Sequence, residues 1–270
     1  MTSCQPFTAL FNLNRDQIDG RSIDMYVAWL SKTCEIFPHL VVFHDGCLDG
    51  LNFTSATLIK IKLEELRTFE LQDKVRKVLS DFKSGAPQDI TFLLPDYSLV
   101  QLSKFELAQK VLSFVETDSV LWIDAGISRF LSASSVSHEL QTSSGYLLDN
   151  EYDYCFEIDT RKNFDFAKMR LRKPEVGSCK RVVSGTSFWI SKAGINPLCE
   201  ATFNCASHWL EEGVWDNEQL ILRYILPAIK GRRFYFIQGK NRTGSVCRSM
   251  IEGNWRPRGL RNTLINALMR

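Results

Sequence analysis

An α/β fold is predicted for this 270-residue chain by three features. The apolar run Val120-Leu121-Trp122-Ile123 follows an amphipathic helical segment and a short polar break, and it delivers Asp124-Ala125-Gly126, so a helix feeds a buried strand with an acid at its tip. Residues 6–63 read as strand, helix, strand, strand, the start of a βαβ arrangement. In open sheets of this class ligands gather at the carboxyl ends of strands, which makes Asp124 the first candidate for chemistry. An aspartate there suits a cation, a ribose hydroxyl or a proton, and Gly126 admits a close neighbour. A strand followed by an ordinary Asp/Gly turn competes with that reading.

The elements follow in order. Residues 6–13 form a first strand closed by the polar cluster Asn12, Asn14, Arg15 and Asp16. Residues 22–37 form a helix with Met25, Trp29, Leu30 and Ile36 as its apolar stripe, ended by Pro38. Residues 40–46 are a second strand with Asp45 near its tip, and 57–63 a third, because apolar and branched residues alternate with lysines. A helix over 72–82 and a surface turn over 84–87 follow. Over 103–115, Phe105, Leu107, Ala108, Val111, Leu112 and Val115 share one helical face, with Lys104, Glu106, Gln109 and Lys110 mostly on the other. Residues 131–144 are serine-rich and read as a loop or weak helix; 152–158 and 182–190 read as later strands, and 216–229 as a helix running into a basic tail. No internal repeat or long linker is evident.

A hydrophobic content of 44% and a charged content of 24% are those of an ordinary globular protein. The net charge of +2 conceals an asymmetry, since Glu252 is the single acid among the many lysines and arginines of residues 230–270. The first residues lack the basic and apolar regions of a signal peptide, and no run reaches the length of a membrane span. Eight cysteines show no CxxC pair, so reduced thiols in a cytoplasmic protein are expected. His39, His44, His138 and His208 lack zinc-ligand spacing, and the chain contains no GxSxG, GxGxxG or GxxxxGK[ST] motif.

Three further stretches carry candidate chemistry. Gly185-Thr186-Ser187-Phe188-Trp189 combines small residues with a large aromatic, as a sugar site requires, although a plain buried strand looks much the same. Trp215-Asp216-Asn217-Glu218-Gln219 opens a helix; capping explains Asp216, yet the polar cluster exceeds what a cap needs, so Asp216 or Glu218 is a candidate general base or acceptor-hydroxyl binder. Lys240 and Arg242, between Gly239 and Gly244, have the composition of a phosphate-holding loop without P-loop spacing, and Arg256 and Arg258 could add guanidinium forks; a solvated surface turn is the bland account.

Lys104, the helix after it and the Asp124 strand resemble a GT-A glycosyltransferase. More narrowly, Pro95-Asp96-Tyr97-Ser98-Leu99, Ser103-Lys104-Phe105 and WIDAGISRF are similar to the HtrL/YibB family of bacterial proteins, which is associated with surface polysaccharide or lipopolysaccharide gene sets. The match runs from about residue 6 to 130, with GTSFW and WDNEQ as weaker support downstream. The resemblance implies one domain with a Rossmann-like mixed central sheet flanked by helices. Residues 1–130 would be its nucleotide-sugar-binding half, 131–229 its acceptor and catalytic half, and 230–270 a basic C-terminal segment. Asn14, Arg15, Asp45, Lys104, Asp124, Ala125 and Gly126 would face the donor; Gly185, Thr186, Ser187 and Trp189 the sugar and acceptor; Asp216 or Glu218 would be the base; and Lys240, Arg242, Arg256 and Arg258 would hold the diphosphate.

The family pattern is D-x-D, two carboxylates beside one divalent cation. Here Gly126 stands at the second position and no histidine follows His208. Mn²⁺ or Mg²⁺ would then be held by Asp124 with substrate oxygens and water, or the basic tail would neutralise the diphosphate instead; the expectation leans to a metal at Asp124. The expected activity is transfer of a sugar, most simply from a UDP-linked donor, to a saccharide hydroxyl, with no nucleic-acid partner and no membrane span, and with peripheral association at the inner membrane through the basic segment as an option. The other readings are a non-catalytic nucleotide- or glycan-binding module, and a nucleic-acid binder using the tail with Phe234, Tyr235, Phe236 and Trp255.

Overall fold

Apolar runs with no polar face must be covered on both sides, and three of them, β1 (Cys4–Leu10), β2 (Leu40–His44) and β4 (Ser119–Ile123), lie inside one sheet. The computed structural model describes residues 3–81, 89–131, 137–158, 183–229, 231–238, 244–253 and 255. With β3 (Ala56–Lys60), β5 (Tyr154–Ile158), β6 (Val183–Ser191) and β7 (Phe234–Gln238) the sheet has seven strands in the order β3-β2-β1-β4-β6-β5-β7. The pairs β2/β3, β1/β2, β1/β4 and β5/β7 are parallel, and β6 runs antiparallel to both β4 and β5. The expected mixed α/β sheet flanked by helices is therefore present.

The helices are α1 (Asp16–Asp19), α2 (Ile23–Ile36), α3 (Gln72–Asp81), α4 (Ile90–Leu93), α5 (Pro95–Leu102), α6 (Lys104–Val111), α7 (Ser137–Asp149), α8 (Lys192–Glu211), α9 (Glu218–Ile225) and α10 (Ser245–Glu252). Strand alternation divides the interior into two cores. Val120 and Trp122 of β4 join Phe7, Phe43, Phe105 and Phe188 in one; Leu121 and Ile123 join Leu30, Val42, Trp189 and Tyr235 in the other.

Several readings are corrected by packing. The serine-rich 131–144 region leads into the 13-residue helix α7. Its hydroxyls turn inward: Ser143 Oγ donates to the Met250 carbonyl at 2.9 Å, and Ser144 Oγ lies 2.7 Å from Ser119 Oγ. Small polar residues with internal partners let this helix close on the sheet. Glu106, expected on the polar side of its helix, is buried because its carboxylate accepts the Arg67 and Thr68 amides at 2.9 and 3.3 Å, capping a short turn from another part of the chain. α9 begins at Glu218 and is capped by Asn217, whose side chain accepts from Gln219 N at 3.1 Å; Asp216 is not the cap.

The basic C-terminal segment contributes β7, which pairs with β5, and α10, which packs beside α7. Phe234, Tyr235, Phe236 and Trp255 are therefore core residues, each under 10% exposed, and offer no stacking platform for bases. α8 escaped the sequence reading, although Ile195, Leu198, Thr202, Cys205, Ala206 and Trp209 trace its buried stripe. The turn expected over 84–87 lies outside the described residues. Among the described residues, no helix is long and apolar enough to cross a membrane.

His44 closes β2 at 3% exposure, and its Nδ1 accepts the Gly46 amide at 3.1 Å. Burial lowers its pKa below the ordinary histidine value of 6.5, against the opposing pull of Asp49 and Asp45. The unfolded chain therefore takes up this proton first as pH falls, so stability present above pH 6.5 is lost as pH drops through the folded value. Melting temperatures measured between pH 7 and 5 should fall less in His44→Asn, which keeps an acceptor for Gly46, than in the parent chain; parallel curves would contradict the assignment.

Candidate functional site

From β1 the chain crosses to β2 and β3 on one side and only then to β4 on the other, so loops part at the carboxyl ends of β1 and β4. A cleft of about 110 Å³ opens at that point. The segment after β1 lines it with Asn12 and Arg15, followed by Arg21 and Tyr26; Tyr97, Lys104 and Trp122 form further wall, and Asp124, Ala125 and Arg129 line it at the end of β4. The sequence expectation thus meets the structure at Arg15, Lys104, Asp124 and Ala125.

Asp124 is positioned from two directions. Its amide donates to the Thr186 carbonyl of β6 at 2.9 Å, and its Oδ1 accepts the Gly126 amide at 2.9 Å. Oδ2 has no partner among the described residues. The turn after Asp124 is tied to α2: Thr33 Oγ1 donates to the Ala125 carbonyl at 3.0 Å, and Ser128 Oγ to the Trp29 carbonyl at 2.8 Å. Gly126 has an ordinary φ of −94°, so what it provides is space. A Cβ there would lie 3.0 Å from both Nε and Nη2 of Arg129 and 3.2 Å from the Trp29 ring.

Arg129 stacks on Trp29 at 4.2 Å, and its Nε donates to the Gly126 carbonyl at 2.9 Å. Arg15 is held between two rings, 4.5 Å from that of Tyr97 and 5.5 Å from that of Tyr26, and it donates to Tyr26 Oη at 2.7 Å and to Asp19. Burial raises the Tyr97 pKa, with Arg15 pulling the other way, so the phenol stays neutral.

Lys104 was expected on the solvent side of its helix and is 2% exposed. Its Nζ donates to the Gly185 carbonyl at 2.9 Å and to Glu218 Oε1 at 2.8 Å. Nζ also lies 5.3 Å from the Trp122 ring, and Lys104 lines the cleft. Trp122 Nε1 shares the Gly185 carbonyl at 3.1 Å. Gly185 is required here, because a Cβ would lie 1.9 Å from Glu218 Oε1.

This geometry revises the remaining assignments. Glu218 and Asp216 are each 1% exposed and neither lines the cleft. Glu218 serves to hold Lys104, and Asp216 Oδ1 accepts the Asn217 amide at 2.7 Å; in this structure both carboxylates are engaged inside the protein and lie outside the cleft lining. Ser187 and Trp189 are fully buried, Ser187 Oγ accepting from Cys247 N at 3.2 Å and Trp189 Nε1 donating to Ser144 Oγ at 3.2 Å. β6 offers the site backbone carbonyls from Gly185 and Thr186 and no aromatic platform. Asp45 braces the loop after β1, accepting Asn12 N at 3.0 Å and Cys47 N at 3.1 Å, and Asn14 is exposed away from the cleft. Lys240, Arg242, Arg256 and Arg258 lie outside the described residues.

The donor set that the described residues bring to this cleft does not suit a metal held by the protein. Among the described residues no group of three or more His, Cys, Asp or Glu could hold one. Asp124 is the one carboxylate among the described residues that line the cleft, with one oxygen committed to Gly126, while Arg15 and Arg21, both beside Asp19, Lys104, paired with Glu218, and Arg129 also line it. Tyr97 and Arg129 line the cleft, a placement without a local signal in the sequence, although they lie in the PDYSL and WIDAGISRF stretches. Only the one-turn spacing of Gly126 and Arg129 hinted at their contact.

No protein-family model matches the chain, and no curated protein matches its sequence.

Removing one partner of the buried Lys104/Glu218 pair leaves an unpaired charge, so Lys104→Met and Glu218→Gln should each destabilise by about 3–5 kcal/mol. The Lys104→Met/Glu218→Gln double variant should cost far less than the sum of the two, as read from urea unfolding. Additive losses would show that the pair is not coupled.

Proposed function

We propose that the chain is a GT-A type glycosyltransferase that moves a sugar from a nucleotide-sugar donor, UDP-linked, to a saccharide hydroxyl. The cleft between β1 and β4 is the observation that carries this reading: it joins a cationic wall to an aromatic and apolar one, with one carboxylate at the strand tip. Tyr26, Ile23 and Val100 suit a base and ribose; Arg15, Lys104 and Arg129 suit a diphosphate. Asp124 Oδ2 suits a hydroxyl of the ribose or of the transferred sugar. The role in surface polysaccharide or lipopolysaccharide synthesis, and the cytoplasmic setting it requires, rest on the resemblance to HtrL/YibB proteins.

In the transfer, the acceptor oxygen bonds to the anomeric carbon while the bond from that carbon to the diphosphate breaks, and the electron pair leaves with the nucleoside diphosphate. The cations meet charge where it develops, which is the largest service such a site can give. Among the described residues lining the cleft, Asp124 is the carboxylate that could receive the acceptor proton. The resemblance implies Mn²⁺ or Mg²⁺ beside Asp124, where the ion would neutralise the leaving diphosphate; no step above depends on it. The burial of Asp216 and Glu218 favours one second reading, a module that binds a nucleotide sugar without transferring it.

Thermal-shift screening of UDP, GDP and CMP sugars should reveal one nucleotide class that stabilises the chain, with slow donor hydrolysis in the same tube. Asp124→Asn should lower turnover by about 10²-fold or more while leaving the melting temperature of the free protein unchanged. Binding without hydrolysis or transfer would select the second reading, and full transferase activity in Asp124→Ala would remove Asp124 from the mechanism.

A further inference from the structure

We infer that Arg129 stands in for a divalent cation in this cleft, and that Gly126 is the residue that makes room for it, so that a diphosphate is neutralised by the protein's own guanidinium groups. The inference rests on reading the cleft as a diphosphate site and adds how that group is held.

Space comes first. Two residues after Asp124, where a second carboxylate would complete a metal site, a bare Cα faces the Arg129 guanidinium, and even one added carbon would meet Nε and Nη2 at 3.0 Å. A side chain at 126 therefore crowds the guanidinium in the position it holds here, and the arginine would have to shift to admit it.

Orientation is the second point. The Gly126 carbonyl takes the Nε hydrogen at 2.9 Å and the Trp29 ring supports one face at 4.2 Å, which fixes the plane of the guanidinium. Arg129 lines the cleft and also lies 4.9 Å from the Phe130 ring; among the described residues its Nη groups have no hydrogen-bond partner, and no ion pair joins them to Asp124. An arginine held through Nε with its terminal fork free is arranged for two phosphate oxygens.

The surrounding charge agrees. Arg15, paired with Asp19 and with its Nε buried without a partner, and Lys104, paired with Glu218, line the same cleft. Arg21 lies 3.8 Å from Asp19, which leaves Arg129 as the lining cation with no ion-pair partner among the described residues. A divalent ion at Asp124 would find one uncommitted carboxylate oxygen and face these cations.

Calorimetric titration with inorganic pyrophosphate and with UDP, in EDTA and at matched free ligand in Mn²⁺, tests the inference. Pyrophosphate should bind about equally in both conditions. Arg129→Ala should weaken it by about tenfold or more, Gly126→Ala should weaken it in the same direction with the arginine still present, and Arg129→Lys should fall between. Unchanged melting temperatures of the free variants separate these losses from misfolding. Pyrophosphate binding only with Mn²⁺, no binding in either condition, or parental affinity in both Arg129→Ala and Gly126→Ala would each overturn the inference. Pyrophosphate binding in EDTA without UDP binding would uphold the cation site and defeat the nucleotide-sugar reading instead.

Discussion

The ammonium of Lys104 is the junction on which the site depends. It reaches from α6 to the Gly185 carbonyl of β6 and to Glu218 at the first turn of α9, three elements far apart in the chain. A buried ion pair gains little net stability, because both charges lose their water, but misplacing either partner is costly. The pair therefore acts chiefly by specifying one arrangement. β6 lies antiparallel between β4 and β5, and Lys104 with Trp122 anchors its carbonyl at Gly185, one residue before the Thr186 carbonyl that takes the Asp124 amide. The wall of the cleft and the tip of its acidic strand are thus set by the same few bonds.

The end of β4 shows how one glycine changes the chemistry of a strand tip. Gly126 leaves room for Arg129 to fold back over its own turn and rest on Trp29, so a guanidinium joins Asp124 in lining the cleft. Trp29 looked like an ordinary core residue of an amphipathic helix. It is half-buried, and its ring supports the arginine while α2 grips the same turn through Thr33 and Ser128. Sheet, helix and turn cooperate in presenting one guanidinium.

Much of the architecture was legible because it is periodic. The uninterrupted apolar runs at β2 and β4 and the stripe of α2 each signal how they must be covered, and Ser22 marks the α2 start through its bond to the Met25 amide at 3.3 Å. Charge misled the reading wherever a polar residue had a distant partner. Lys104 and Glu106 follow the outward pattern of their helix, yet one meets Glu218 and the other caps the turn at Arg67. The basic count of the C-terminal segment likewise concealed β7, whose aromatic residues are core.

By itself, the sequence determined the α/β class, six of the seven described strands, the four helices α2, α3, α6 and α9, and the presence of an acid at the end of a buried strand, because these follow from local periodicity and chain stiffness. Only the tertiary structure decided which charges share a cavity. It withdrew Asp216, Glu218, Ser187 and Trp189 from the cleft and brought in Tyr97 and Arg129. The physical reason is that a side chain's chemistry depends on its partners and its exposure to water, and both are set by contacts between residues such as Lys104 and Glu218 that no local pattern relates.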